Sequence, residues 1–293
     1  MMTPEISVVV PVYNVEPYLR SALDSLLAQT FGNWEAICIN DGSTDSSWQI
    51  LQEYANKDKR FKIFSQPNEG VSVARNKALE LSQGKYIAFL DSDDHISEKF
   101  LEKLYDAAEQ TGADLAIASI KQEKIRKKDG KFVIKNRLLL TARKIYTSMA
   151  ELYILLKLPR TCFITNKLYR KSAYDMHFVP HEYFEDVLFS HQILAQTHKA
   201  VTVPEVFYYY RLNSGSVVHT MNLKKEQDYL KNSNAGLEIA IKQGWDYKRL
   251  LKYYAASSKK KIAPFITVKT YVGFKAYFLF NRLLFTKKLT SAD

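Results

Sequence analysis

The 293-residue chain reads as an α/β protein built on a doubly wound, mostly parallel sheet, and three observations carry that reading. Short apolar runs alternate with stretches of helical period through residues 6–120. The apolar runs are nearly continuous, as expected of strands covered on both faces. Polar clusters follow several of them, at the strand ends where open α/β sheets bind ligands. In chain order, Ile6–Val12 predicts the first strand, and Pro17–Gln29 places Leu19, Ala22, Leu23, Leu26 and Leu27 on one helical face. The alternation continues as strand Trp34–Ile39, helix Ser46–Ala55, strand Phe61–Phe64, helix Val71–Leu81, strand Tyr86–Leu90, helix Glu98–Gln110 and strand Leu115–Ile120. Beyond it, Lys121–Lys135 predicts a solvated hairpin around its central Lys-Lys-Asp-Gly. Val187, Leu188, Ile193 and Leu194 then predict an amphipathic helix opened by Glu185-Asp186.

The length exceeds the roughly 100–200 residues of an ordinary single domain, so one main domain with an elaborated C-terminal part is expected. Charge divides the chain in the same way. Residues 1–120 hold 10 Lys/Arg and 18 Asp/Glu, whereas residues 121–293 hold 32 and 13, so the net charge of +11 arises in the second part. Cys38 lies in an apolar run and Cys162 is isolated, so neither a disulfide framework nor a cysteine-based zinc site is read from them, which fits a reducing cytoplasm. Met1-Met2-Thr3-Pro4-Glu5 has neither a basic region nor a long apolar stretch, so no secretion signal is expected. No segment reaches about 18 uninterrupted apolar residues, so no spanning helix is expected either.

The most informative cluster is Asp91-Ser92-Asp93-Asp94, which follows the strand Tyr86–Leu90. Adjacent carboxylates repel one another unless a cation or several donors compensate, and hard oxygen ligands suit Mg²⁺ or Mn²⁺. The alternative is that Asp94 or Ser97 caps the helix beginning near Glu98. No G-x-G-x-x-G follows the first strand and no G-x-x-x-x-G-K-[ST] occurs, which argues against a dinucleotide dehydrogenase and a P-loop NTPase. Phosphate charge must then be met by metal and side chains. Asn68-Glu69-Gly70 through Ala74-Arg75-Asn76 supplies a candidate, because Gly70 can open a helix that places Arg75 one turn in. An ordinary solvated helix arginine is the plainer alternative.

Val10-Pro11-Val12-Tyr13-Asn14, Asn40-Asp41-Gly42-Ser43-Thr44-Asp45, Asn68-Glu69-Gly70 with Ala74-Arg75-Asn76, and Asp91-Ser92-Asp93-Asp94 occur in the order and spacing of family 2 glycosyltransferases. The resemblance is dense over residues 5–120. It continues more thinly to about residue 218 through Asn166-Lys167-Leu168-Tyr169, Phe184-Glu185-Asp186 and Tyr208-Tyr209-Tyr210-Arg211. It implies the GT-A nucleotide-diphospho-sugar transferase fold and a bacterial enzyme acting on a nucleotide-sugar donor, by default a UDP-sugar. By resemblance, Pro11, Tyr13 and Asp41 hold the base, Tyr13 by stacking and Asp41 by accepting from a ring N–H. Asp91 lies near the ribose, Asn68, Arg75 and Ser92 near the nucleotide, and Asp93 is the principal protein ligand to a Mn²⁺ or Mg²⁺ ion. Arg211 is a candidate phosphate contact and His219 a candidate metal ligand, although a lone histidine is more commonly a solvated or core residue. The implied organisation is a catalytic domain over 1–220, with a nucleotide-binding half at 1–120 and an acceptor-side half at 121–220. A helical, basic-aromatic region at 221–293 completes it.

Inverting sugar transfer needs a general base that takes the acceptor hydroxyl proton as oxygen attacks the anomeric carbon. Asp186, with Glu185 beside it, matches the family's acidic motif at that position. The same acids also suit the positive end of a helix dipole. Phe184 departs from the small or polar residue often found before the pair. The loop Leu212–His219, with Gly215 as a hinge, is expected to close over the nucleotide. Residues 248–288 hold 11 Lys/Arg and no acid, interleaved with aromatics, as in segments that lie in an anionic headgroup layer. Packing on the acidic N-terminal half is the other option. No nucleic-acid-binding module accompanies the segment, and no oligomeric state is specified. Peripheral attachment to the inner face of the cell membrane is therefore expected, with a glycan or lipid-linked acceptor. The Gln-x-x-Arg-Trp of processive synthases is absent, so one sugar per encounter is expected. A nucleotidyltransferase would need a Gly-rich, Arg-containing loop after the first strand, and a haloacid-dehalogenase-like phosphatase an acidic pair there. A non-catalytic saccharide- or membrane-binding protein with a degenerate pocket is the remaining alternative, against which Asp93 and Asp186 argue.

Overall fold

The computed structural model describes residues 3–125, 132–156, 162–212 and 222–245, with the backbone of 260–263, 266–271, 274–279 and 282–288. Strand β1 (Ile6–Val12) is buried along its whole length, which its continuous apolar run requires. Helix α1 (Glu16–Leu27) buries Leu19, Ala22, Leu23 and Leu26 against the sheet. Strand β2 (Trp34–Asp41), helix α2 (Ser47–Lys57), β3 (Phe61–Gln66), α3 (Val71–Leu81) and β4 (Tyr86–Phe89) continue the alternation. β1 pairs in parallel with β2, from Ile6↔Trp34 to Val12↔Asn40, and with β4, from Ile6↔Tyr86 to Val9↔Phe89. The Val9 carbonyl accepts from the Leu90 N–H at 3.0 Å. Pro11 faces the same side two residues later, beyond the last pair with β4, where its missing N–H deprives the ladder of nothing.

The second half comprises β5 (His95–Ile96), α4 (Phe100–Thr111), β6 (Leu115–Ile125), β7 (Phe132–Leu138), β8 (Ile145–Tyr146), α5 (Met149–Leu155), β9 (Lys167–Arg170), α6 (Glu185–Gln196) and β10 (Ala200–Leu212). The main sheet runs β3-β2-β1-β4-β9-β6-β10-β5, with β7 on β6 and β8 on β10. β6 and β10 are parallel, whereas the four-residue β9 is antiparallel to both β4 and β6 and joins the two parallel blocks. The result is a mixed, mostly parallel sheet. β10 shifts register between Val203 and Phe207, around Pro204, which cannot donate to the ladder. β6 and β7 pair antiparallel as expected of the hairpin, whose Lys-Lys-Asp-Gly centre lies outside the described residues.

The C-terminal region departs from the expected helical extension. Helix α7 (Leu223–Lys242) is present, capped where Asn222 Oδ1 accepts from the Lys225 N–H at 2.9 Å. Beyond it stand strands β11 (Lys260–Ala263), β12 (Ile266–Tyr271), β13 (Phe274–Leu279) and β14 (Arg282–Lys288), paired as a separate antiparallel sheet in that order. The correction has a local cause: Ile266-Thr267-Val268-Lys269-Thr270-Tyr271 is rich in β-branched and aromatic residues, which favour a strand. Among the described residues no helix is long and apolar enough to cross a membrane.

Candidate active site

Because β1 to β4 are parallel, the loops after them leave the sheet on one rim. After β1, Asn14 adopts a left-handed φ of 49°, a conformation asparagine tolerates. Its Oδ1 accepts from the Thr44 N–H at 2.8 Å, and its own N–H donates to Ser43 Oγ at 3.1 Å. Glu16 N–H donates to Asp45 Oδ2 at 3.0 Å, while Ser46 N–H donates to Glu16 Oε2 at 3.1 Å. The first turns of α1 and α2 thus satisfy each other's orphan amides. Tyr13 is left at the rim with 48% of its surface exposed, available to stack, while Pro11 is buried within β1.

Asp41, at the end of β2, is buried and anchors the next loop. Its Oδ1 accepts from Gln66 Nε2 at 2.8 Å and from the Glu69 N–H at 2.9 Å, and its Oδ2 accepts from the Gly70 N–H at 2.8 Å. These bonds occupy three of about four lone-pair positions of a carboxylate. Gly42 has a φ of 72°, and a Cβ there would lie 2.7 Å from the Asn68 backbone nitrogen. The two loops therefore touch at a point that only glycine fits, and Asn68 stands exposed above it.

Within Asp91–Asp94 the four side chains separate into different environments. The capping alternative is corrected, since α4 starts with Lys99 as its N-cap and no side-chain cap. Ser97 Oγ instead accepts from the Phe207 N–H at 3.1 Å. Asp94 is buried and accepts from Tyr208 Oη and the Arg211 N–H, each at 2.7 Å, which fastens the loop to β10. Burial, reinforced by Asp93 and Asp91, pushes the Asp94 carboxyl well above its ordinary pKa. Ser92 is buried, whereas Asp91 and Asp93 keep partial exposure. The Arg211 side chain turns toward α1, where Nη2 donates to Ser21 Oγ at 3.2 Å and the guanidinium lies 5.5 Å from the Tyr18 ring centre.

Among the described residues no group of three or more His, Cys, Asp and Glu side chains could hold a metal ion by itself. The donor set nevertheless fits a hard cation that takes most of its ligands from water and a diphosphate, as Mg²⁺ commonly does with one or two carboxylates. Asp93, the metal ligand expected from the motifs, keeps partial exposure on this loop, so solvent reaches it, whereas Asp94 is buried against β10. His219 lies outside the described residues.

Arg75 links Asp91, on the rim, to Glu185 of the acidic pair. It is 5% exposed, its Nη2 meets Asp91 Oδ1 at 2.8 Å, and its Nη1 meets Glu185 Oε1 at 2.5 Å. Its flank lies 5.3 Å from the Phe178 ring centre. Burial disfavours the cation, but the charges of Asp91 and Glu185 outweigh it and raise the Arg75 pKa. The solvated alternative is thus excluded. Asp186 retains partial exposure yet is embedded among protein atoms, and its pKa is pushed up to about 7. Burial is the main cause, the charges of Glu185 and Asp91 add to it, and Arg75 opposes.

The structural roles of several residues around the site were not legible in the sequence, even where the residues stood in quoted motifs. Asp94, Tyr208 and Gln66 act by holding other loops, and such roles show only in contacts. Lys167, on β9, is buried and donates to the Phe163 carbonyl and, at 2.9 Å, to Asn166 Oδ1. Burial lowers its pKa to about 7, with Cys162 and Asp186 opposing. Lys167 stands in the motif Asn166-Lys167-Leu168-Tyr169, but its burial was not legible there.

The family model described as "Glycosyl transferase family 2" matches residues 7–178, which include every rim loop but not Glu185-Asp186. The chain is 36% identical over 233 residues to "Putative glycosyltransferase EpsH" of Bacillus subtilis, covering 76% of this chain and 65% of that protein. It is 46% identical over 101 residues to "Putative teichuronic acid biosynthesis glycosyltransferase TuaG" of the same organism, 34% of this chain and 40% of that one. The matches thus span less than two thirds of either relative. Staphylococcus aureus TarS 1–349, solved in complex with UDP-GlcNAc, superposes with a TM-score of 0.68 at 22% identity, over 86% of this chain and 71% of that one. That likeness shows the GT-A fold expected from the motifs. With the family match covering more than half of the sequence and falling on the loops that build this rim, the chain belongs to glycosyl transferase family 2.

Proposed function

We propose that this chain moves one sugar, with inversion at the anomeric carbon, from a UDP-sugar to a hydroxyl of a glycan or lipid-linked acceptor. The observation that carries the reading is the buried Arg75, which ties Asp91 on the rim to Glu185 beside Asp186, whose carboxyl pKa burial pushes up to about 7. A group of that pKa is half ionised near neutrality and returns a captured proton readily.

In this reading Tyr13 stacks on the base, and the remaining lone-pair position of Asp41 accepts from a ring N–H. Asn68, Asp91 and Ser92 border the ribose and phosphates, with Arg211 at the side of the phosphates nearest α1. Arg75 orients Glu185 and Asp91 and, by its charge, limits how far their repulsion raises Asp186. Asp186 takes the acceptor hydroxyl proton as the oxygen bonds to the anomeric carbon and the bond to the diphosphate breaks. Asp93 would hold a Mn²⁺ or Mg²⁺ ion, which would supply charge offsetting that of the departing diphosphate. UDP-GlcNAc in the TarS complex supports the choice of nucleotide, and the teichuronic acid assignment of TuaG supports an acceptor in bacterial surface polysaccharide. The catalytic unit is assigned to 1–220. The basic-aromatic segment 248–288 is assigned to anionic headgroups at the inner membrane face, where lipid-linked acceptors are presented.

Incubating the purified chain with a set of UDP- and GDP-sugars, with Mn²⁺ or with chelator, and measuring nucleotide diphosphate release tests the reading. Release is expected from one UDP-sugar, only with metal, and at least about 100-fold slower in Asp93→Ala. Metal-independent release unaffected by Asp93→Ala would overturn it.

A further inference from the structure

Glu185 and Asp186 are launched from a turn that its own side chains disfavour. His181 and Phe184 both have left-handed φ values, 60° and 58°. That conformation is strained for an L-residue, so it persists only where surrounding groups impose it. No side chain of the turn caps α6, because Phe184 is the N-cap and offers no acceptor.

The restraint comes from α7. Asp228 Oδ2 accepts from the Tyr183 N–H at 3.1 Å, and Asn232 Nδ2 donates to the Tyr183 carbonyl at 3.1 Å. Both polar groups of one backbone residue are therefore taken by side chains one helical turn apart. Asp228 and Asn232 are only 5% and 1% exposed. Lys224 braces Asp228 at 2.8 Å, Lys231 pairs with Glu182, and the Tyr229 ring meets Phe184 edge-on at 5.2 Å. If α7 served only to cover α6, apolar residues would do so without the cost of burying polar groups. Two buried polar side chains aimed at the backbone of one residue define a position instead.

We infer that Asp228 and Asn232 are positioning residues for the transfer reaction, fixing the turn 181–184 so that Asp186 points at the acceptor hydroxyl. This rests on the reading of Asp186 as the base. Asn232→Leu removes the donor at similar volume, Asp228→Ala removes the acceptor, and Asp228→Asn keeps an acceptor for the Tyr183 N–H while giving up the charge.

The test measures UDP release from the UDP-sugar that the wild-type chain turns over fastest, its pH profile, and binding of UDP with Mn²⁺ by calorimetry. Asn232→Leu and Asp228→Ala are expected to lower kcat about 10- to 100-fold, the scale of a misplacement near 1 Å, with UDP affinity within about twofold of wild type. The ascending limb of the pH profile should shift to lower pH as water reaches Asp186, and Asp228→Asn should recover most of the rate. Wild-type kcat and pH profile in both disruptive variants would overturn the inference, as would a loss of kcat matched by an equal loss of UDP binding. If Asn232→Leu fails to fold, the contrast between Asp228→Ala and Asp228→Asn decides the matter. Asp186→Asn separates the two levels. Wild-type release in that variant sinks the base reading itself, whereas its inactivity beside fully active α7 variants sinks only the positioning role.

Discussion

Asp186 and Arg75 lie 111 positions apart in the sequence, yet Arg75 holds the neighbour of Asp186 directly. Holding the Asp186 carboxyl above its ordinary value costs stability at neutral pH, and the cost can be measured. Asp186 has an ordinary value of 3.8 and a folded value of about 7, so the native state binds its proton more tightly than the unfolded chain does. Its contribution to stability is therefore complete below about pH 4 and is lost as pH rises through about 7. Asp186→Asn should consequently unfold with the wild type at pH 4 and be more stable by about 2–4 kcal/mol at pH 8, read from denaturant melts. The same variant should bind UDP with Mn²⁺ normally and lose transfer. Wild-type transfer should rise with pH along a limb centred near 7. The candidate residues themselves were legible as motifs. Their electrostatic state was not, because it depends on burial and on carboxylates contributed by β4 and α6.

At the scale of elements, the reactive rim is made by loops that lock one another rather than by single loops folding alone. Asp41 holds the amides of Glu69 and Gly70, and Gly42 leaves space for Asn68. Gly42→Ala would force a Cβ to within 2.7 Å of a backbone nitrogen at a φ of 72°, which no side-chain rotation relieves. We expect a destabilisation of about 1–3 kcal/mol in thermal or denaturant melts, accompanied by weaker UDP binding in calorimetry. The alternating elements through residue 120 were readable because each carries a clean period or a continuous apolar run. β9 was not readable as a strand, since four residues are too few to show a period and its placement between β4 and β6 is a tertiary choice. The expected C-terminal helix failed beyond Lys242 for another reason. Charge and aromatic content describe which surface a segment prefers, whereas β-branching decides its backbone.

Across the whole molecule, charge is segregated: 18 acids against 10 bases in residues 1–120, and 32 bases against 13 acids afterwards. An acidic rim binds a diphosphate only with a cation, while a basic tail favours an anionic surface without one. Removing residues 248–293 should therefore weaken sedimentation with phosphatidylserine-containing liposomes at low salt and leave metal-dependent UDP release intact. Equal partitioning of the full and shortened chains would reject the membrane assignment. The sequence alone determined the fold class, the order of the rim motifs and the chemical kinds of group gathered there, because periodicity and residue type are local properties. Only the tertiary structure decided which carboxylate is buried, which is paired with an arginine, which keeps partial exposure, and how α7 holds the turn before Asp186. Those outcomes depend on solvent exclusion and on distances between groups far apart in the chain, and neither is encoded at any single position.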